Sequence, residues 1–129
     1  MELNVNSPAY YKDQYGIDDL VYRYFQKAHL YFLDKEYSET IKIIGISPMV
    51  VPHELCDSAN WKESIRLINN KNCAIVSLRI DFEEYNFADS MGKIQLTKDL
   101  IIKAIRIIKS KVDFDCDTFE QDFNQLVLD

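Results

Sequence analysis

The chain is poor in the residues that build tight loops, cross-links and metal sites. Its 129 residues include three glycines, three prolines, three cysteines and two histidines. So few glycines leave no glycine-rich phosphate loop, and "MGK" at 91–93 matches no phosphate motif. Cys56, Cys73 and Cys116 are odd in number and lack paired spacing, so reduced thiols are expected rather than a disulfide framework. His53 and Cys56 share a spacing that some zinc sites use. No second ligand pair follows at finger spacing, so neither a metal nor a cofactor is expected. His29 falls mid-helix and reads as an ordinary helix residue. No apolar run approaches the roughly 20 residues that span a bilayer. "MELNVNSPAYYKD" has neither a basic n-region nor an apolar h-region, so no secretory leader is expected and a cytoplasmic setting is. Basic charge is scarce too: 15 Lys and Arg against 21 Asp and Glu leave a net charge of −6. That balance argues against nucleic acid or an anionic membrane as the partner and suits a basic one.

What is present is enough for a core. A hydrophobic fraction of 47% excludes disorder, and the length fits a single domain spanning 1–129. "ELNV" alternates, with Leu3 and Val5 on one face, and reads as a short strand ended by Ser7-Pro8. "GIDDLVYRYFQKAHLYFLDKEY" reads as a helix that Asp18 or Asp19 can cap. Leu20, Val21, Tyr24, Phe25, Ala28, Tyr31 and Phe32 form its apolar stripe, and Tyr22 and Leu30 widen it beyond one core face. "TIKIIGISPMVV" is β-branched but interrupted by Gly45 and Pro48, which fits a bulged or edge strand.

The clearest unit is "WKESIRLINNKNCAIVSLRIDF", a hairpin turning at Asn69–Asn72. This register sets Leu67 against Ala74, Ile65 against Val76 and Trp61 against Ile80, with Glu63 facing Leu78 as a defect. Ala74, Val76, Leu78, Ile80 and Phe82 then share the buried face. "GKIQLTKDLIIKAIRIIKSKV" is a second long helix, burying Ile94, Leu100, Ile101, Ala104, Ile105 and Ile108. "DTFEQDFNQLVL" is a short last helix, capped by Asp117 or Thr118 and packed by Phe119, Phe123, Leu126 and Val127. The expected fold is α+β: about four strands in a mostly antiparallel sheet, helices on one face, in the order β-α-β-β-β-α-α.

Two acidic stretches flank the basic second helix. Asp81, Glu83, Glu84 and Asp89 lie before it, and Asp113, Asp115 and Asp117 after it. Acid–base catalysis would need two carboxyls held at different pKa values in a cleft. The sequence shows only their proximity, and no nucleophile elbow accompanies them. Solvated charge, or helix ends of suitable sign, is the plain account. A binding surface is the functional one, with Tyr85 as its aromatic anchor. Tyr10, Tyr11 and Tyr15 in "AYYKDQY" fall in an expected loop, and Tyr37 sits near an element end.

The segment "LRIDFEEYNFADSMGKIQLTKDLIIKAIRIIKSK", with its acidic terminal helix, resembles the immunity proteins of bacterial polymorphic toxin systems. The similarity is to the contact-dependent growth inhibition type and to the family catalogued as immunity protein 44. It rests on the C-terminal half: the "LRIDFEEY" strand end, the connector with Phe87, and the Leu/Ile-rich helix. The resemblance implies a cytoplasmic, non-enzymatic protein that binds and neutralises one cognate toxin domain, often a nuclease. It carries no toxin-contacting residues onto this chain. Charge and exposure select Asp81, Glu83, Glu84, Tyr85, Asp89, Asp113, Asp115 and Asp117 as partner-binding residues, with no catalytic, cofactor or metal site. The alternatives are a homo-oligomeric structural or regulatory module joined through the Tyr-rich helix, and a small enzyme using the Asp81–Glu84 carboxylates.

Overall fold

The computed structural model describes residues 1–6, 9–10, 19–52, 64–68, 70 and 72–126, with the backbone alone at 9, 10 and 19. In chain order the elements are β1 (Glu2–Val5), β2 (Ala9–Tyr10), α1 (Asp19–Phe32), β3 (Ile43–Val51), β4 (Ser64–Ile68), β5 (Cys73–Asp81), α2 (Phe82–Phe87), α3 (Ser90–Lys109) and α4 (Cys116–Gln125). The strands order as β1-β3-β5-β4, and β2 pairs with β3.

The sheet is mixed and mostly parallel, not mostly antiparallel as the sequence suggested. β1, β2 and β5 all pair parallel to β3, and the β4–β5 hairpin supplies the antiparallel pairing. The helical crossover through α1 lets β1 and β3 run the same way. Strand alternation reports which face a residue takes and says nothing of direction, so the pattern was compatible with both arrangements.

β3 was expected to be bulged or at an edge because of Pro48. It is instead central, in unbroken register with β5 from Ile43 opposite Cys73 to Val51 opposite Asp81. The carbonyl of Ile46 accepts from the Asn6 amide, so even-numbered residues of β3 turn their peptide groups toward β1. Pro48 falls between the last β1 pair, Val5–Ile46, and the first β2 pair, Ala9–Met49. The position of its missing N–H faces away from β5, so the β3–β5 ladder runs through it unbroken.

The hairpin register agrees with the alternation: Ile65 faces Val76 and Leu67 faces Ala74. Asn70 takes a left-handed φ of 57°, which asparagine tolerates in a turn. Trp61, Glu63, Asn69 and Lys71 lie outside the described residues, as do Ser7-Pro8, Tyr11, Tyr15, Asp18, His53, Cys56 and Val127. Cys73 and Cys116 are buried free thiols.

Leu3, Ile44, Ile46, Val50, Ala74, Val76, Leu78 and Ile80 bury one face of the sheet. α1 and α3 pack against it, and α4 closes the end of the layer. Phe82 is half-buried in α2 rather than part of the strand. The expected stripe of α3 is buried, and so is that of α1 apart from Leu20 and Tyr31, which are half-buried against the core, while Tyr22 and Leu30 are exposed. Phe32 stacks on Phe119 at 4.9 Å, with Phe123 edge-on at 5.9 Å, so one aromatic cluster joins α1 to α4. Among the described residues Thr97 is the buried polar side chain of the core, and its hydroxyl donates to the Lys93 carbonyl at 2.9 Å. The Met1 ammonium donates to the Phe32 and Leu33 carbonyls at 3.0 and 3.2 Å, placing a positive charge at the C-terminal end of α1. Among the described residues no helix is long and apolar enough to cross a membrane.

Candidate functional site

Asp81 ends β5 in an extended conformation and starts α2 with its side chain. One of its carboxylate oxygens accepts from the Glu83 amide at 2.8 Å and the Glu84 amide at 3.4 Å. That N-cap turns "FEEYNF" into a short helix where a loop was expected. Glu83 and Glu84 occupy its first turn, exposed, where negative charge suits the helix N-terminus. Asp89 then caps α3, accepting from the Gly92 amide at 2.7 Å. Gly92 makes room for this cap: a Cβ there would sit 3.0 Å from the Ala88 Cβ and 3.1 Å from the Asp89 oxygen. The result is a corner of two capped helices.

The aromatic at this corner is not the expected one. Tyr85 is 1% exposed and belongs to the core, with the Lys93 ammonium 5.4 Å from its ring centre. It cannot serve as a surface anchor. Two residues on, Phe87 is 87% exposed, and Met91 in the first turn of α3 is 59% exposed. Successive helical positions differ by about 100°, so residues two apart point to nearly opposite sides. Burial of Tyr85 thus drives Phe87 outward. The connector with Phe87, part of the family resemblance, was the available signal for this residue.

The tail carboxylates gather elsewhere. α3 has 20 residues, so its ends lie ~30 Å apart at 1.5 Å per residue. Beyond its C-terminal end, Asp115 caps α4, accepting from the Thr118 amide at 3.1 Å. The cap is therefore Asp115, not Asp117 or Thr118. Hydrogen bonds from Thr118 hold the Asp115 carboxyl below its ordinary pKa. The Asp115 amide donates to the Tyr37 carbonyl at 2.7 Å, and the Ser38 hydroxyl donates to the Asp113 carbonyl at 2.8 Å. These bonds bring Asp113 and Asp115 beside Glu36 and Glu39 around an open cleft of about 580 Å³. Lys42 lines the same cleft and pairs with Glu36 at 2.7 Å, which lowers the Glu36 pKa. Asp117 is exposed in the first turn of α4.

The sequence reading missed Glu36 and Glu39, because only long-range contacts bring "DKEYSE" to the tail. Tyr37, expected near a surface, is buried. Its hydroxyl donates to Asp122 at 2.6 Å, and its pKa is raised by burial first and by that carboxylate second. Arg106 and Glu120 join α3 to α4 at 2.9 Å, a pairing that lowers the Glu120 pKa.

The eight predicted residues thus divide. Asp81, Glu83, Glu84 and Asp89 share the corner, Asp113, Asp115 and Asp117 lie at the far end, and Tyr85 is inside. Both ends present carboxylates, and the corner adds exposed apolar groups. Among the described residues no group of three His, Cys, Asp or Glu is placed to hold a metal. Tyr22 and Leu30 are exposed on α1, and Leu33 is exposed just past its end.

No curated protein and no solved structure matches the chain. The family model described as Immunity protein 44 matches residues 1–129, its whole length. The chain belongs to the immunity protein 44 family.

Proposed function

We propose that this protein neutralises a toxin domain in the bacterial cytoplasm by binding it directly, acting through contact rather than catalysis. The family match over residues 1–129 is the observation that carries this reading. Charge supports the mode of contact. A toxin that acts on nucleic acid needs a basic working surface, and a protein of net charge −6 complements it. The proposed contact groups are Glu83, Glu84 and Asp89 at the corner, where Asp81 sets the helix, and Asp113, Asp115 and Asp117 at the tail.

The test is co-expression with the toxin domain encoded by the adjoining gene. That domain alone should arrest growth, this protein should restore it, and the two should co-purify. Arrest that persists while the protein accumulates in folded form would refute neutralisation. Rescue without a recoverable complex would refute direct contact.

A further inference from the structure

We infer that Phe87 is the apolar anchor of the toxin complex, entering an apolar pocket on the partner whose rim carries Lys and Arg. This rests on the neutralisation reading above and names the surface that performs it. Phe87 is 87% exposed and Met91 59%, two large apolar side chains on one corner. Interface energy concentrates in a few such anchors ringed by polar groups.

The charge around this corner is mostly acidic, with Lys93, held over the Tyr85 ring, as its basic member. Glu83, Glu84 and Asp89 are exposed around the same corner. A basic rim on the partner would meet them with opposite charge and speed encounter. A second copy of this chain fits poorly. A two-fold interface sets a patch against itself, bringing these three carboxylates against their own equivalents.

The corner is also held in place before any partner arrives. Asp81 fixes the start of α2, Asp89 fixes the start of α3, and buried Tyr85 pins the turn between them. Little ordering is left to do on binding, which favours affinity. The tail cleft lacks this combination: its lining residues are Glu36, Tyr37, Ser38, Glu39, Lys42, Asp113, Phe114 and Asp115, and its two aromatics are buried.

The experiment measures binding kinetics to a catalytically inactive form of the toxin domain encoded by the adjoining gene. It compares the native chain, Phe87→Ala, the pair Glu83→Lys with Glu84→Lys, and a control pair away from both acidic surfaces, Glu2→Lys with Asp34→Lys. All substituted residues are exposed, so circular dichroism should match the native chain, with only a small fall in urea midpoint where the charge reversal touches the first turn of α2. Phe87→Ala should bind about 30-fold more weakly, through faster dissociation. The corner charge pair should slow association, with a penalty that shrinks in high salt. The control pair should bind as the native chain does. Native-like affinity of Phe87→Ala, alongside tight binding by the native chain, overturns the anchor and leaves neutralisation standing. Failure of the native chain to bind overturns both. A Phe87-dependent dimer of the chain alone, seen by sedimentation, also overturns the assignment.

Discussion

Replacing Tyr85 by alanine separates a surface residue from a core one. Were Tyr85 an exposed anchor, Tyr85→Ala would leave folding intact and weaken binding. The structure demands the opposite. Tyr85 is 1% exposed and among the largest fully buried side chains of the protein. Truncating a buried ring of this size costs about 3–5 kcal/mol, the transfer term plus the cavity left behind. The Lys93 ammonium also loses its aromatic neighbour, a loss of about 0.5–1 kcal/mol for a contact near the surface. Domains of this size hold only about 5–15 kcal/mol of net stability, so a large share is removed. Urea denaturation followed by circular dichroism should show a clear fall in midpoint at unchanged slope. Tyr85→Phe keeps the ring and should lose only about 0.5–1.5 kcal/mol with the hydroxyl. A Tyr85→Ala midpoint equal to that of the native chain would refute the burial. Loss of growth rescue by this variant therefore reports unfolding, and Phe87→Ala is the variant that reports contact.

Ile80→Ala, under the helices, should lower stability by about 2–5 kcal/mol, while Arg79→Ala on the other face should cost less; equal losses in urea would refute the face assignment. Burial pushes the Tyr24 hydroxyl up to about 12, and burial with Asp122 raises that of Tyr37. Both titrate near 10.0 when unfolded, so their contribution is intact below that pH and is lost as the pH rises toward the folded values. Urea midpoints should decline above about pH 10, less steeply in Tyr24→Phe, and parallel declines in the two proteins would refute the assignment to Tyr24. Acetylating the Met1 amine removes the charge at the end of α1 and should lower thermal stability by about 0.3–2 kcal/mol; an unchanged melting curve would show that the ammonium contributes nothing.

Much of the local structure was legible in the residues, and most of the long-range arrangement was not. The β4–β5 register followed from alternation either side of Asn70, because a one-residue slip would expose every apolar side chain. The stripes of α1 and α3 followed from helical spacing in the same way. α2 escaped notice because six residues are too few to establish a period, and its N-cap lies in the preceding strand. Tyr85 and Phe87 were therefore placed in a loop, where neither has a defined side. The acidic cleft was invisible for another reason. Its two halves meet through the Tyr37–Asp115 and Ser38–Asp113 bonds, between segments far apart in the chain. Charge did mark the two ends of α3, but composition cannot say which end also carries exposed apolar groups.

At the corner, different residues hold the shape and face outward. Asp81 and Asp89 are engaged by backbone amides, while Glu83, Glu84 and Phe87 project into solvent. Exchanges at the outward positions shift stability within about 0.5 kcal/mol, whereas losing a cap costs about 1 kcal/mol. A lineage facing a drifting opponent can therefore rewrite the outward set one residue at a time. Each intermediate keeps the same scaffold, so the evolutionary path between two specificities need not pass through a misfolded protein.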